Sequence, residues 1–322
     1  MIRQLNPLSL RISVTDRCQL RCSYCMPAEG VPKREPADIL SFEEIIRFVR
    51  AAKSGFGISK VRITGGEPLV RAGIVELVRM LGQEGVPDLA LTTNGQMLAG
   101  MAGQLKQAGL NRINVSLDSL NDGTFRKLTG GGRLYQSLAG IRDALDNQMR
   151  PLKLNMVVLR GVNDHEVASI AHFGLARGCH VRFLELMPIG CAKDNFDDLF
   201  VSTAEVRTRL ANYLDLEPLH HEAGQSSRNF LASDRHGRSG IIGFISPTSR
   251  PFCGGCRRVR LTSGGRLVCC LARGTGENIR HLLQGDSTST LEHLQTAISQ
   301  QLSQKPAVRE FQTSAPMVAV GG

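Results

Sequence analysis

An α/β fold built on a parallel sheet is predicted by three observations. Six short runs rich in β-branched residues recur between Leu8 and Met187, separated by stretches of helical periodicity. The motifs of the chain fall at the C-terminal ends of those runs. The 322 residues, 42% hydrophobic and 21% charged, suffice for one large α/β domain or a domain with an extension. Parallel neighbours need right-handed crossovers, so the alternation allows a doubly wound sheet or a sheet curled as part of a barrel. Pattern alone does not separate them.

Leu8 to Val14 opens the alternation and leads into Thr15-Asp16-Arg17-Cys18-Gln19-Leu20-Arg21-Cys22-Ser23-Tyr24-Cys25. Ser41-Phe42-Glu43-Glu44 reads as a capping box that starts a helix running to about Ser54, the serine accepting from free amides and Glu44 reaching back. Lys60 to Thr64 precedes Gly65-Gly66-Glu67-Pro68, and Leu89 to Thr93 runs into Asn94-Gly95. Arg112 to Leu117, Lys153 to Leu159 and Val181 to Met187 complete the set, with Ser116 to Ser119 at the end of the fourth run. Barrel enzymes build their sites on that rim. After Pro188 the alternation stops. A helix is expected from Ser202 to Tyr213, loops or a hairpin from Glu222 to Gly240, and a strand from Ile241 to Ile245. Arg260 to Leu267 has the look of a hairpin.

The formal charge of +10 invites a nucleic-acid reading. The excess is spread along the chain, however, without a run of five basic residues, and no Trp and three Tyr leave little for base stacking. A small polyanionic substrate fits the charge as well as RNA does. No stretch of eighteen apolar residues occurs, and Met1 to Pro7 lacks the apolar core of a signal peptide, so a cytoplasmic protein without membrane contact is expected. In that reducing compartment nine cysteines serve metal or catalysis rather than disulfides.

Cys18, Cys22 and Cys25 can converge on one soft-metal centre. A four-iron, four-sulfur cluster normally takes one cysteine per iron, so three leave one iron open for a small molecule. Structural zinc is closed by four ligands, and neither a histidine nor a fourth cysteine lies nearby. Farther along, Cys253-Gly254-Gly255-Cys256 and Cys270 form a second group of three. Cys269 competes with Cys270, and on a strand the two would point to opposite faces, so one alone can serve. Cys179 and Cys191 read as ordinary packing.

Cys-x3-Cys-x2-Cys with Tyr24 before the third cysteine resembles the signature of the radical S-adenosylmethionine (SAM) superfamily. The resemblance implies a partial (β/α)6 TIM-type barrel over residues 1–190, with a C-terminal α+β extension over 191–322 carrying a second iron–sulfur cluster. Cys253, Cys256 and Cys270, the Arg258 and Arg260 pair, Leu184 to Gly190 and the terminal Gly321-Gly322, all in order, narrow the resemblance to the GTP 3′,8-cyclase family. It covers nearly the whole chain. Arg257 stands where that family commonly has Asn.

The family resemblance implies a lyase with two 4Fe–4S clusters, one held by Cys18, Cys22 and Cys25 with SAM, the other by Cys253, Cys256 and Cys270 facing the guanine of GTP. It implies SAM contacts at Tyr24, Gly66, Ser116 and Met187, and GTP contacts at Arg11, Arg62, Thr93, Lys153, Arg258, Val259 and Arg260. Gly321 and Gly322 would enter the active site as a thin, permissive tail. The implied reaction joins ribose C3′ of GTP to guanine C8, the first step of molybdenum cofactor biosynthesis. Implied partners are a reductant protein for the cluster and a downstream cyclic pyranopterin monophosphate synthase; a homodimer is allowed.

Residue chemistry agrees in part. Glycine has no Cβ to keep a ligand from the backbone at Gly65 and Gly66, although strand-end glycines commonly just turn the chain. Arginine offers a planar fork to phosphate oxygens and lysine a compact charge. Met187 taken alone reads as core. Two alternatives stand beside this reading: a radical SAM peptide-maturation enzyme with an auxiliary cluster, and a zinc-bearing RNA-binding protein without enzymatic activity.

Overall fold

A computed structural model describes residues 7–222, 224–285, 288–306 and 311–320. The six expected strands form as β1 (Leu8–Ser13), β2 (Ile58–Thr64), β3 (Leu89–Thr93), β4 (Arg112–Ser116), β5 (Lys153–Val158) and β6 (His180–Glu185). They lie side by side in chain order and all neighbours are parallel. Order without reversal answers the open question of topology. A doubly wound sheet must reverse its strand order to place helices on both faces, whereas successive right-handed crossovers put every helix on one face.

Those helices are α1 (Phe42–Phe56), α2 (Ile74–Gln83), α3 (Ala102–Gln107), α4 (Asp122–Thr129), α5 (Leu134–Asp146) and α6 (Val167–Leu175). Each outward strand face is apolar: Leu8, Leu10 and Ile12 of β1 and Val61 and Ile63 of β2 are fully buried in the core between sheet and helices. The intervening residues, such as Ser9 and Arg11 or Lys60 and Arg62, fall on the other, inward face because side chains alternate along a strand. The capping box starts α1 as expected. Ser41 accepts from the amide of Glu44 at 3.1 Å, and Glu44 accepts from the amide of Ser41 at 2.6 Å. Ser41→Ala is expected to lower stability by about 1 kcal/mol, read as a lower urea midpoint at unchanged m-value.

The remaining chain adds α7 (Phe196–Leu199), α8 (Thr203–Leu210), β7 (Leu214–Pro218), β8 (Arg228–Asp234), β9 (Ser239–Ile245), β10 (Arg258–Leu261), β11 (Arg266–Val268), β12 (Glu277–Asn278) and α9 (Thr288–Ser303). Helix α8 stops short of the expected Tyr213 because the chain turns at Ala211 to enter β7, whose Leu-Asp-Leu-Glu alternation is itself a strand signal. Within the expected loop or hairpin region, β8 and β9 pair as an antiparallel hairpin. These strands extend the same sheet: β9 joins β6 in parallel and β10 joins β1 in parallel, giving an open twelve-stranded order β12-β11-β10-β1-β2-β3-β4-β5-β6-β9-β8-β7. The barrel is partial and its sheet remains open. Among the described residues no helix is long and apolar enough to cross a membrane.

Candidate active site

Strand direction places the two cysteine groups at opposite ends of the sheet. Cys18, Cys22 and Cys25 follow the C-terminal end of β1. Cys253 and Cys256 precede β10, which is parallel to β1, and Cys269 and Cys270 follow the antiparallel β11, so all four lie at the other end.

The first group sits on a loop held by backbone contacts. Gly66 donates its amide to Thr15 O at 2.7 Å and Glu67 donates to Arg17 O at 2.8 Å. A Cβ on Gly66 would stand 2.4 Å from Arg17 O, closer than atoms can approach. The structure thus gives Gly66 a further reason, the close approach of the cysteine loop itself. Gly66→Ala is expected to displace that loop and the three cysteines on it, measured as faster reaction of Cys18, Cys22 and Cys25 with a thiol reagent at unchanged far-UV circular dichroism.

Glu67 braces the neighbouring strand end, accepting from Thr93 Oγ1 at 2.6 Å and from the Asn94 and Leu69 amides at 2.7 and 3.1 Å. Burial pushes its carboxyl up to about 7. Tyr24 donates its hydroxyl to Asp118 at 2.7 Å, and Asp118 also accepts from the Val157 amide at 2.8 Å. Cys18 Sγ accepts from the Leu20 amide at 3.4 Å and faces Asn94 Nδ2 at 3.8 Å. Burial, then the neighbouring thiols and Asp118, push Cys25 up to about 12, and burial, Asp118 and the other two thiols push Cys22 well above its ordinary value. Three half-buried sulfurs on one short loop, with donors aimed at one, suit a group that binds them as thiolates and offsets the cost of their charge. Among the described residues no group of three His, Cys, Asp or Glu is arranged to hold a single ion. A cubane asks instead for a different iron at each thiolate. Cys191, expected only to pack, lies near enough to Cys25 to raise its thiol further.

Between the two ends the inward face is lined with cations. Arg260 of β10, Arg11 of β1 and Arg62 of β2 are register partners on three adjacent parallel strands, and the rung continues through Ala90 to Arg112. Neighbouring strands are only about 4.8 Å apart, and like charges directly opposite destabilise a sheet. An anion in front of such a row would relieve part of that repulsion. Burial, then Arg260, Arg62, Arg258 and Arg182, hold Arg11 well below its ordinary pKa, while burial and Arg112 bring Arg62 down to about 10. Lys153 falls to about 7 through burial and then Arg182, Arg112, Arg62 and Lys60. Nε of Arg62 and Nε of Arg182 are buried without a hydrogen-bond partner.

These side chains line a cavity of about 850 Å³ that opens at the N-terminal ends of β1, β2, β4 and β5. Its lining includes Arg11, Lys60, Arg62, Arg112, Lys153, Arg182 and Arg258, against the carboxylates of Asp88 and Glu222. Asp88 is engaged by Arg112 through Nε at 2.7 Å and Nη2 at 2.5 Å. Arg182, buried, donates to Asn114 Oδ1 at 2.6 Å. Sequence reasoning missed Lys60, Arg112 and Arg182. The signal was present: each is a charged residue in a strand, on the face opposite its buried aliphatic neighbours.

The second cysteine group meets this cluster. Cys253, Cys256, Cys269 and Cys270 line a small cavity with Arg258, Arg260 and Lys305. Burial pushes the Cys256 thiol up, but Arg258, Lys305 and Arg260 outweigh it and bring it down to about 7. Both Cys269 and Cys270 reach the cavity, because both lie beyond the last residue of β11, where strand alternation no longer separates them. Cys269 is the more buried, and burial pushes its thiol up to about 11.

Thr93, Val259, Ser116 and Met187 do not line either of these cavities. Thr93 is buried, its hydroxyl spent on Glu67 and on the Gly95 amide at 3.0 Å. Val259 is fully buried in the core, leaving its side chain out of the cavity. Ser116 closes β4 and is half-buried. Met187 packs with Ile189, Leu271 and the tail residues Phe311, Ala315 and Met317. That tail runs past Gly190, whose φ of 56° and missing Cβ admit the backbone of Pro316. Gly321 and Gly322 lie outside the described residues.

Residues 12–174 match the Radical SAM superfamily and residues 179–311 match Molybdenum Cofactor Synthesis C. A GTP 3′,8-cyclase of Geobacter sulfurreducens is 47% identical over 299 residues, covering 92% of this chain and 89% of that protein. One from Moorella thermoacetica is 42% identical over 308 residues, covering 95% and 92%. Among solved structures, Streptococcus suis SuiB bound to S-adenosylmethionine aligns with a TM-score of 0.63 at 16% identity, over 86% of this chain and 65% of that one. At that identity the likeness concerns the fold alone. Sequence identity over nearly full length, with both matched regions in order and a cysteine group in each, shows that the chain belongs to the GTP 3′,8-cyclase family of the radical SAM superfamily.

Proposed function

We propose that this protein converts GTP to 3′,8-cyclo-7,8-dihydro-GTP, the first step of molybdenum cofactor biosynthesis, in the space between its two cysteine groups. The observation that carries the reading is the rung Arg260, Arg11, Arg62 with Lys153 and Arg182 beside it, a buried polycationic wall leading to the second cysteine group. A triphosphate is the compact polyanion such a wall fits, and arginine forks match its oxygens. The same wall accounts for part of the +10 charge without any nucleic-acid surface.

Cys18, Cys22 and Cys25 would hold a 4Fe–4S cluster with one iron left for SAM, and Cys253, Cys256 and Cys270 a second with one iron left for the base of GTP. When bound, the first cluster with SAM supplies a 5′-deoxyadenosyl radical, the hydrogen-abstracting agent that the reaction needs. The chain's part is placement and exclusion. Glu67, Asn94 and Gly66 shape the loop around the first group, and Tyr24 and Asp118 brace its outer side. The guanidinium wall orients the triphosphate so that the ribose points toward the first group and the base toward the second. We assign residues 1–190 to radical generation and 191–322 to the second cluster and the tail, with Gly321 and Gly322 closing the site. An external protein reductant and a synthase making cyclic pyranopterin monophosphate complete the chemistry around it, and a dimer is compatible with it.

Anaerobic protein incubated with GTP, SAM and dithionite tests the reading. The expected result is 5′-deoxyadenosine together with a cyclised nucleotide. SAM cleavage with GTP left intact would remove the substrate assignment.

A further inference from the structure

We infer that Lys305 is a positioning residue for the second iron–sulfur cluster, clamping the turn that carries Cys253 and Cys256 and donating to the sulfur of Cys256. The inference rests on the two-cluster reading above. Lys305 lies just past the end of α9, and its Nζ stands 2.8 Å from Cys256 O, 2.7 Å from Arg258 O and 3.6 Å from Cys256 Sγ. An ammonium group has three protons and no acceptor. Three acceptors therefore use all of them.

That count separates Lys305 from the arginines in the same cavity. A guanidinium carries five donors where an ammonium carries three, and those of Lys305 are directed at the protein and at sulfur rather than at a phosphate. Its work is on the protein and on the sulfur. By binding the carbonyls of Cys256 and Arg258 together it fixes the backbone between a cysteine ligand and the first arginine of the substrate wall, so the two cannot drift apart.

Its charge acts on the metal site as well. Hydrogen bonds to ligand sulfurs and local net charge are among the quantities that set a cluster's reduction potential, and groups behind the ligands typically change metal affinity by roughly 10- to 100-fold. A cation donating to sulfur favours the state with the additional electron. Lys305 should therefore hold the second cluster at a more positive potential than a neutral side chain would. Nothing in the sequence marks this residue, since 49 positions separate it from Cys256.

The test uses the full chain carrying Cys22→Ser, prepared anaerobically, so that the second cluster is the one observed. Lys305→Met, which keeps the stem length, and Lys305→Arg, which keeps the charge, are compared with it by iron and sulfide content and by dye-mediated redox titration. The expected result is a more negative midpoint in K305M, an intermediate one in K305R, and faster loss of iron from K305M than from K305R. An iron-bearing C22S protein whose midpoint and iron retention ignore K305M overturns the inference alone. A C22S protein without iron overturns the two-cluster reading and the inference with it.

Discussion

Cys22→Ser is expected to abolish cyclisation and to halve the iron, from about eight to about four per chain, the stoichiometry of one cluster lost from two. Cys22 is half-buried beside Cys18 and Cys25, and the loop that carries it is tied to the sheet by Gly66 and Glu67. Cys253→Ser should remove the same amount of iron with a different consequence. SAM cleavage persists, since the first group lies at the opposite end of the sheet, but cyclised product is lost with the cluster proposed to hold the base. Iron and sulfide analysis with separate assays for 5′-deoxyadenosine and product distinguishes the two variants. Equal loss of SAM cleavage in both would mean that the two ends do not act separately.

GTP affinity is expected to fall as pH rises above about 7, by up to tenfold per pH unit, and Lys153→Met should flatten that dependence while weakening binding at neutral pH. The sign follows from Lys153, whose pKa is lowered to about 7 by burial and by Arg182, Arg112 and Arg62. In the free protein the amine is largely neutral above that value. A bound triphosphate replaces repulsion by attraction and raises the pKa, so binding takes up a proton, and that uptake becomes costlier at higher pH. The window is open at its upper side, where Lys60, also lowered by burial, begins to contribute. His180, pushed down to about 4, and Asp88, held below its ordinary value, stay outside it. The same shift affects folding in the opposite direction. An amine that binds its proton less tightly in the folded state than in the unfolded one destabilises fully below pH 7, and stability of the free protein recovers as pH rises from 7 toward the unfolded value near 10.4. Isothermal titration at several pH values, with buffers of different ionisation enthalpy, reads the proton uptake directly.

Much of this architecture was legible in the sequence because the signals were local. Short runs rich in β-branched residues marked β1 to β6 to within a residue or two, and Ser41 with Glu44 marked the start of α1. Cysteine spacing on one short loop marked the first site. Less was visible at the second. The spacing of Cys253, Cys256 and Cys270 could be read, but the approach of Lys305 depends on where α9 ends against the turn, a contact between remote segments. Arg112 and Arg182 escaped notice because each stands alone in its strand and acquires meaning only beside its neighbours in register.

By itself, then, the sequence determined the cysteine-loop motif, the strand–helix alternation and the family resemblance, since cysteine spacing, a capping box and β-branched runs are properties of contiguous residues. Tertiary structure decided that the sheet winds in one direction, that the later strands extend both its edges, and that the two cysteine groups lie at its opposite ends with arginines in register on the strands between. Strand register is what aligns Arg260, Arg11 and Arg62, residues up to 249 positions apart in the chain. Repulsion within that row is set by strand spacing rather than by sequence distance.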